Sequence, residues 1–226
     1  MDYTYLILVL PALIFSIWAQ ARVKSTFQKY ASVRAGMRGV DAAQMVLRAG
    51  EVADVAVRPI SGSLTDHYDP RTKAIGLSQT VYGADSVAAV GVAAHEAGHA
   101  VQYAKGYGPV KVRNAVIPVS QFGATLSWPL LMLGILLSSQ KLMLIGILLF
   151  SAAVLFQLLT LPVEFDASRR ALRALEDCGR FDEAELDGSR KVLRAAALTY
   201  VAALAVSVAQ LLRLLMLFGG NGRRRR

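Results

Sequence analysis

Four stretches of this chain are too long and too apolar to belong on an ordinary water-facing surface. They are residues 3–19 (YTYLILVLPALIFSIWA), 115–138, 142–161 and 192–218. A helix needs roughly 20 apolar residues to cross the hydrocarbon of a bilayer. No water is present there to satisfy backbone N–H and C=O groups, so such runs must be helical. The first run is near the minimum length and contains Pro11, which membrane helices tolerate. The second is broken by Pro118 and Pro129, and the fourth is interrupted by Arg194 and Arg213. Composition agrees: mean hydropathy is +0.42 and only 18% of residues are charged, where a soluble domain carries about a quarter.

A signal peptide competes for the first run, because Ala19-Gln20-Ala21 has the look of a cleavage site. Met1-Asp2-Tyr3 opens acidic where a signal peptide opens basic, which favours an anchor. Residues 22–38 carry Arg22, Lys24, Lys29, Arg34 and Arg38 and no acid. By the positive-inside rule that side is cytoplasmic. Only SSQK separates the second and third runs, so they form a hairpin whose outer ends emerge on one face of the membrane. The terminal RRRR is at odds with this count: a fourth span would carry it to the far side. The last run therefore spans against the rule or lies in the interface or within the bundle, and the arginines most simply meet lipid headgroups. Tyr200 and Arg213 in that run read first as interfacial or snorkelling side chains, with oxyanion stabilisation the functional alternative for Tyr200. Met132, Met143 and Met216 read as packing. The single cysteine, Cys178, excludes a disulfide framework and suits a reducing compartment.

The polar stretches fit between these runs. GVDAAQMVLRAG, residues 39–50, reads as a short helix with Asp41 near its start and Gly50 as its stop. VADVAVRPI, SLTDHY and KAIGLS read as short strands, with DPRT at 69–72 turning between the last two. Asp85 or Ser86 caps a helix that runs to about Lys105, and Gly106 ends it. The expected organisation is an anchor over 1–21, a mixed region over 22–113, a membrane hairpin over 114–161, a polar segment with a short helix over 162–190, and an apolar helix with a basic tail over 191–226.

That capped helix holds AAVGVAAHEAGHAVQYA, residues 88–104, and two of the chain's three histidines. His95 and His99 stand at i and i+4, on one face of a helix, and can aim two ring nitrogens at one ion. Zinc takes imidazole readily. Glu96 is rotated about 100° from His95; it is placed to exchange a proton with water beside the ion rather than to ligate it. H-E-x-x-H is this geometry. Chance matches occur, and a plain core helix is the competing reading. Against it, the flanks are uncharged, and a buried Glu among alanines is costly without a partner.

A catalytic zinc needs a third protein ligand. Positions 102 and 105 are Gln and Lys, and no histidine follows His99. The best candidate is Glu164 in LPVEFDASRRA, where Pro162 can open a helix. Asp166 is the rival, and Ser168, one turn beyond Glu164, can orient it. The two-span hairpin returns the chain to the face where the His95 helix must lie. His67, in LTDHYDP, is a weaker catalytic candidate; its strand can also be a sheet edge that accepts an extended peptide.

VAAHEAGHAVQ together with LPVEFDASRRAL resembles the YugP-like membrane zinc metallopeptidases, also called neutral zinc metallopeptidases. The likeness extends to LTDHYDPRTKAIGLS and KVLRAAALTYVAALAVSVAQLL and so covers nearly the whole chain. More distantly the chain is similar to HtpX-like and CAAX prenyl peptidases, which join a HExxH helix to a glutamate in an E-x-x-A-D context. Here Ser168 replaces that final acid. The resemblance implies zinc at His95, His99 and Glu164 and Glu96 as base.

The expected fold is a mainly α multi-pass membrane protein with a small α+β zincin-like catalytic region. The expected function is that of a zinc-dependent endopeptidase, acting on protein or peptide beside the lipid bilayer, integral to the cell membrane with its catalytic region facing the cytoplasm. The alternative is a non-proteolytic zinc-binding membrane adaptor, favoured if His67 closes the site as a fourth ligand. Nucleic acid, which a net charge of +9 raises, is not expected, because no stretch interleaves aromatic and basic residues.

Overall fold

The computed structural model describes residues 3–218; Met1, Asp2 and the tail from Gly219, with its four arginines, lie outside the described residues. The chain divides into two compact units. One comprises the segments up to Ala19, Lys111–Leu161 and from Thr199 onward; the other comprises Gln20–Val110 and Pro162–Leu198.

The first unit is built from long helices. A five-residue π-helical turn, Tyr5–Val9, leads into α1 (Leu10–Ala31). Pro11 lacks an N–H and its ring crowds the carbonyl four residues back; a widened turn ahead of it relieves both effects. α5 (Gly108–Leu136) and α6 (Gln140–Asp177) are antiparallel neighbours joined by residues 137–139. α7 (Glu183–Phe218) follows. With Tyr5–Ala31, these make four helices among the described residues that are long and apolar enough to cross a membrane. Leu131, Ile147 and Leu214 form a small core with Phe150, Leu211 and Phe218, which ties α5, α6 and α7 together. Outward, Ile7, Phe122, Leu136 and Leu148 are exposed. Each Å² of such surface left in water forfeits about 25 cal/mol, whereas hydrocarbon imposes no such cost. Met132 and Met216, expected as packing residues, are exposed as well; Met143 lies against Gly134. The Arg213 guanidinium sits 5.3 Å from the centre of the Tyr5 ring, a cation–π distance.

One sequence expectation fails here. Pro162 does not open a helix; it lies inside α6, which runs unbroken from Gln140 to Asp177. A proline within a helix removes one N–H donor. Breaking the helix here would leave a full turn of backbone groups at each new end without intrahelical partners. Staying helical is the smaller cost.

The second unit is organised around α4 (Val87–Ala104). Ser86 caps it, its hydroxyl accepting from the Ala89 N–H at 3.3 Å, and Gly106 at φ +63° ends it. Only a residue without a Cβ adopts that left-handed conformation freely. Ala88, Ala89, Val90, Ala93, Ala94, Ala97 and Ala100 are all buried to within 1%. A helix that is apolar all round is one packed on every side. α2 (Gly39–Ala49) covers one face through Val46 and Leu47, which join the same core as Val90 and Ala94. The three-stranded sheet, in the order β1-β3-β2, covers another. β3 (Ala74–Ser78) is central and buried at Ile75 and Leu77. It pairs in parallel with β1 (Ala56–Ile60) and antiparallel with β2 (His67–Asp69). The Asp69 carboxylate accepts from Arg71 N and Thr72 Oγ1, both at 2.9 Å, which closes the turn read from DPRT. A single turn, α3 (Gln79–Tyr82), leads from β3 toward α4.

Candidate metal centre

The site begins with the spacing on α4. His95 and His99 lie one turn apart, their ring centres separated by 4.7 Å and their planes at 80°. α6 crosses α4 at the glycine inside the H-E-x-x-H motif. A Cβ built on Gly98 would stand 2.5 Å from the carbonyl oxygen of Ala167, so only glycine admits this approach. The crossing brings Glu164, three residues before Ala167 and just past the apolar run ending at 161, against both imidazoles. Its Oε2 lies 3.4 Å from His95 Nε2 and 3.6 Å from His99 Nε2. Ligand atoms of His95, His99 and Glu164 all fall within 4.8 Å of one another.

Both outer ring nitrogens are engaged. His95 Nδ1 is 3.0 Å from Ser168 Oγ, and His99 Nδ1 is 3.0 Å from Gln102 Oε1. The two Nε2 atoms therefore face the carboxylate. Burial raises the Glu164 carboxyl, but the pull of the His95 and His99 imidazoles facing it outweighs this and holds the group well below the usual carboxylate range. Burial likewise pushes the His99 imidazole down, while Glu164 and, less strongly, Glu96 and Gln102 pull it up, and the net direction is up. The cluster is one in which a buried anion calls for a cation beside it.

The remaining candidates fall into place around this group. Glu96 is half-buried on α4, next to His95. Asp166, the rival ligand, is not in the group; its Oδ2 accepts from Gln102 Nε2 at 2.9 Å and Arg170 Nε at 2.6 Å. The Ser168 hydroxyl pairs with His95. His67 lies exposed on β2, its Nδ1 2.9 Å from Thr65 O, and it too is outside the group. Tyr200, 41% exposed, belongs to the long-helix unit. Gln102 was missed from sequence, where it counted only as the absence of a third histidine. The signal was its position: an amide three residues after His99 in a run of Ala and Val.

A family model described as "Putative neutral zinc metallopeptidase" matches residues 5–219. The chain belongs to this family. It is also 48% identical over 222 residues to the "Putative membrane protease YugP" of Bacillus subtilis (strain 168), a match covering 97% of this chain and 98% of that relative. No solved structure matches the chain.

For a neutral zinc metallopeptidase, the ion to test against the geometry is zinc. Two atoms that each lie 2.0–2.1 Å from a tetrahedral zinc stand about 3.3–3.4 Å apart. The observed 3.4 and 3.6 Å are close to that edge and longer than a good N–H···O hydrogen bond of about 2.9 Å. Two imidazoles and one carboxylate are also a donor set that zinc favours. The residues fit the ion.

Proposed function

We propose that the chain is a zinc-dependent membrane endopeptidase. The observation that carries this is the convergence of His95 Nε2, His99 Nε2 and Glu164 Oε2 beside Glu96, in a chain of a zinc metallopeptidase family. His95, His99 and Glu164 would hold the ion. When bound, zinc acts as a Lewis acid that polarises a carbonyl and acidifies water. Glu96 takes the proton from the attacking water and returns it to the leaving amine. Ser168 and Gln102 hold the imidazoles so that Nε2 faces inward. Three protein ligands leave a fourth position open, as catalysis requires. His67 lies outside the group, which supports the enzyme over the adaptor.

The substrate is a peptide. β2 is an edge strand of the sheet, and its Tyr68 packs edge-on against Tyr103 of α4 with ring centres 5.4 Å apart. An extended segment can add to this edge. The four long helices span the bilayer, and the acid-free basic run over 22–38 supports a cytoplasmic catalytic region.

The test is metal content by elemental mass spectrometry, followed by cleavage of an unfolded protein with and without chelator. The expected result is about one zinc per wild-type chain, none in His95→Ala, and cleavage that chelator abolishes. A folded wild-type chain that takes up no zinc would overturn the proposal. Zinc without any cleavage across a broad peptide library would favour the adaptor.

A further inference from the structure

We infer that Gln102 is a positioning residue that fixes how His99 meets the metal, and that Asp166 serves it rather than the metal. The inference rests on the zinc reading above. Its core is a donor–acceptor deduction. Gln102 is fully buried, so its amide cannot turn to water for partners. Its Nε2 lies 2.8 Å from the carbonyl oxygen of Val163 and 2.9 Å from Asp166 Oδ2. A backbone carbonyl only accepts. Arg170 donates to the same Asp166 oxygen at 2.6 Å, which keeps that carboxylate an acceptor too. Were the amide flipped, its oxygen would face two oxygens with no proton between them. The orientation is thus set by partners outside the site.

With Nε2 turned to Val163 and Asp166, Gln102 must offer Oε1 to His99. An amide oxygen cannot donate. The contact of 3.0 Å therefore needs a proton on His99 Nδ1, and in the neutral ring that a metal ion requires the lone pair then falls on Nε2, the nitrogen that faces Glu164. His95 is held differently. Its Nδ1 meets the Ser168 hydroxyl, which can donate or accept and so dictates no tautomer. One of the two imidazoles is locked and the other is not. The lock also ties the ligands together, because Val163 and Asp166 flank Glu164 on α6 while His99 and Gln102 belong to α4.

The test uses the full chain in detergent. In the zinc-loaded wild type, nitrogen-15 NMR of the histidine rings is expected to show zinc on His99 Nε2 and a slowly exchanging proton on His99 Nδ1. Zinc on His99 Nδ1, or an Nδ1 proton exchanging as fast as that of an exposed imidazole, overturns the inference, and this readout requires no variant to fold. Gln102→Met keeps the length but removes both hydrogen-bonding functions. Zinc affinity, measured by chelator competition, is expected to fall about 10- to 100-fold, the usual cost of losing such a partner, with the His99 proton signal lost and that of His95 kept. Unchanged affinity in a folded Gln102→Met chain overturns the inference while leaving the metal centre standing; a folded wild type that binds no zinc overturns both. Selective loss of the His99 proton signal, with that of His95 kept, separates positioning from packing, because a general loosening of the site would move both.

Discussion

Gly98 of α4 and Ala167 of α6 touch backbone to backbone, so that a methyl at 98 would lie 2.5 Å from the Ala167 carbonyl oxygen. This contact sets the distance between the helix that carries the two histidines and the helix that carries Glu164. Alanine at 98 gains about 1 kcal/mol of helix propensity but overpacks a closed crossing, at a cost of about 1–3 kcal/mol. The second effect is the larger. Gly98→Ala is expected to lower the melting temperature modestly and to weaken zinc far more than its stability loss implies, because all of the displacement falls between ligands. Chelator competition on the folded variant checks this; wild-type zinc affinity would show that the crossing is not what spaces the site.

Removing Glu164 should cost the metal and part of the stability of the fold. Its carboxylate is buried between two imidazoles that favour its ionised form, and Glu164→Ala removes one partner of that buried group. The metal-free variant is therefore expected to be less stable than the metal-free wild type at neutral pH. Excess zinc should raise the stability of the wild type by about 4 kcal/mol at a thousandfold its dissociation constant, and leave the variant unmoved. Thermal melts with and without zinc are the measurement.

Glu96→Gln keeps the size of the side chain and removes its basicity. Zinc content should match wild type, since Glu96 is outside the ligand group, while peptide cleavage should drop by about 10²–10⁴-fold, the usual contribution of a general base. Cleavage at the wild-type rate would remove Glu96 from its assigned role.

Ser168 pairs with His95 Nδ1 at 3.0 Å. Ser168→Ala is expected to weaken zinc about tenfold, at the lower end for loss of such a partner. Ser168→Asp supplies a charged acceptor for the same ring and is expected to bind zinc at least as tightly as wild type. A metal titration of the two variants side by side decides whether the hydroxyl acts through His95.

Much of this protein was determined along the chain itself. The apolar runs, the Ser86 cap, the turn at Asp69 and the facing pair His95 and His99 depend on neighbours within a few residues, and local periodicity or side-chain chemistry specifies them. So does the family resemblance carried by VAAHEAGHAVQ and LPVEFDASRRAL. What the sequence left open were choices made by contacts between distant segments. Glu164 and Asp166 are two residues apart and chemically alike; only the crossing at Gly98 turns one to the imidazoles and the other to Gln102 and Arg170. Pro162 carries the local signature of a helix start, yet the helix continues through it, because breaking it would leave a full turn of backbone groups unpaired where the proline removes only one donor. Gln102 looked like a ligand that was absent. Its role appears only when the Val163 carbonyl, 61 residues away in the chain, fixes which way its amide points. Hydrogen-bond direction is a property of the partners assembled, and tertiary structure assembles them.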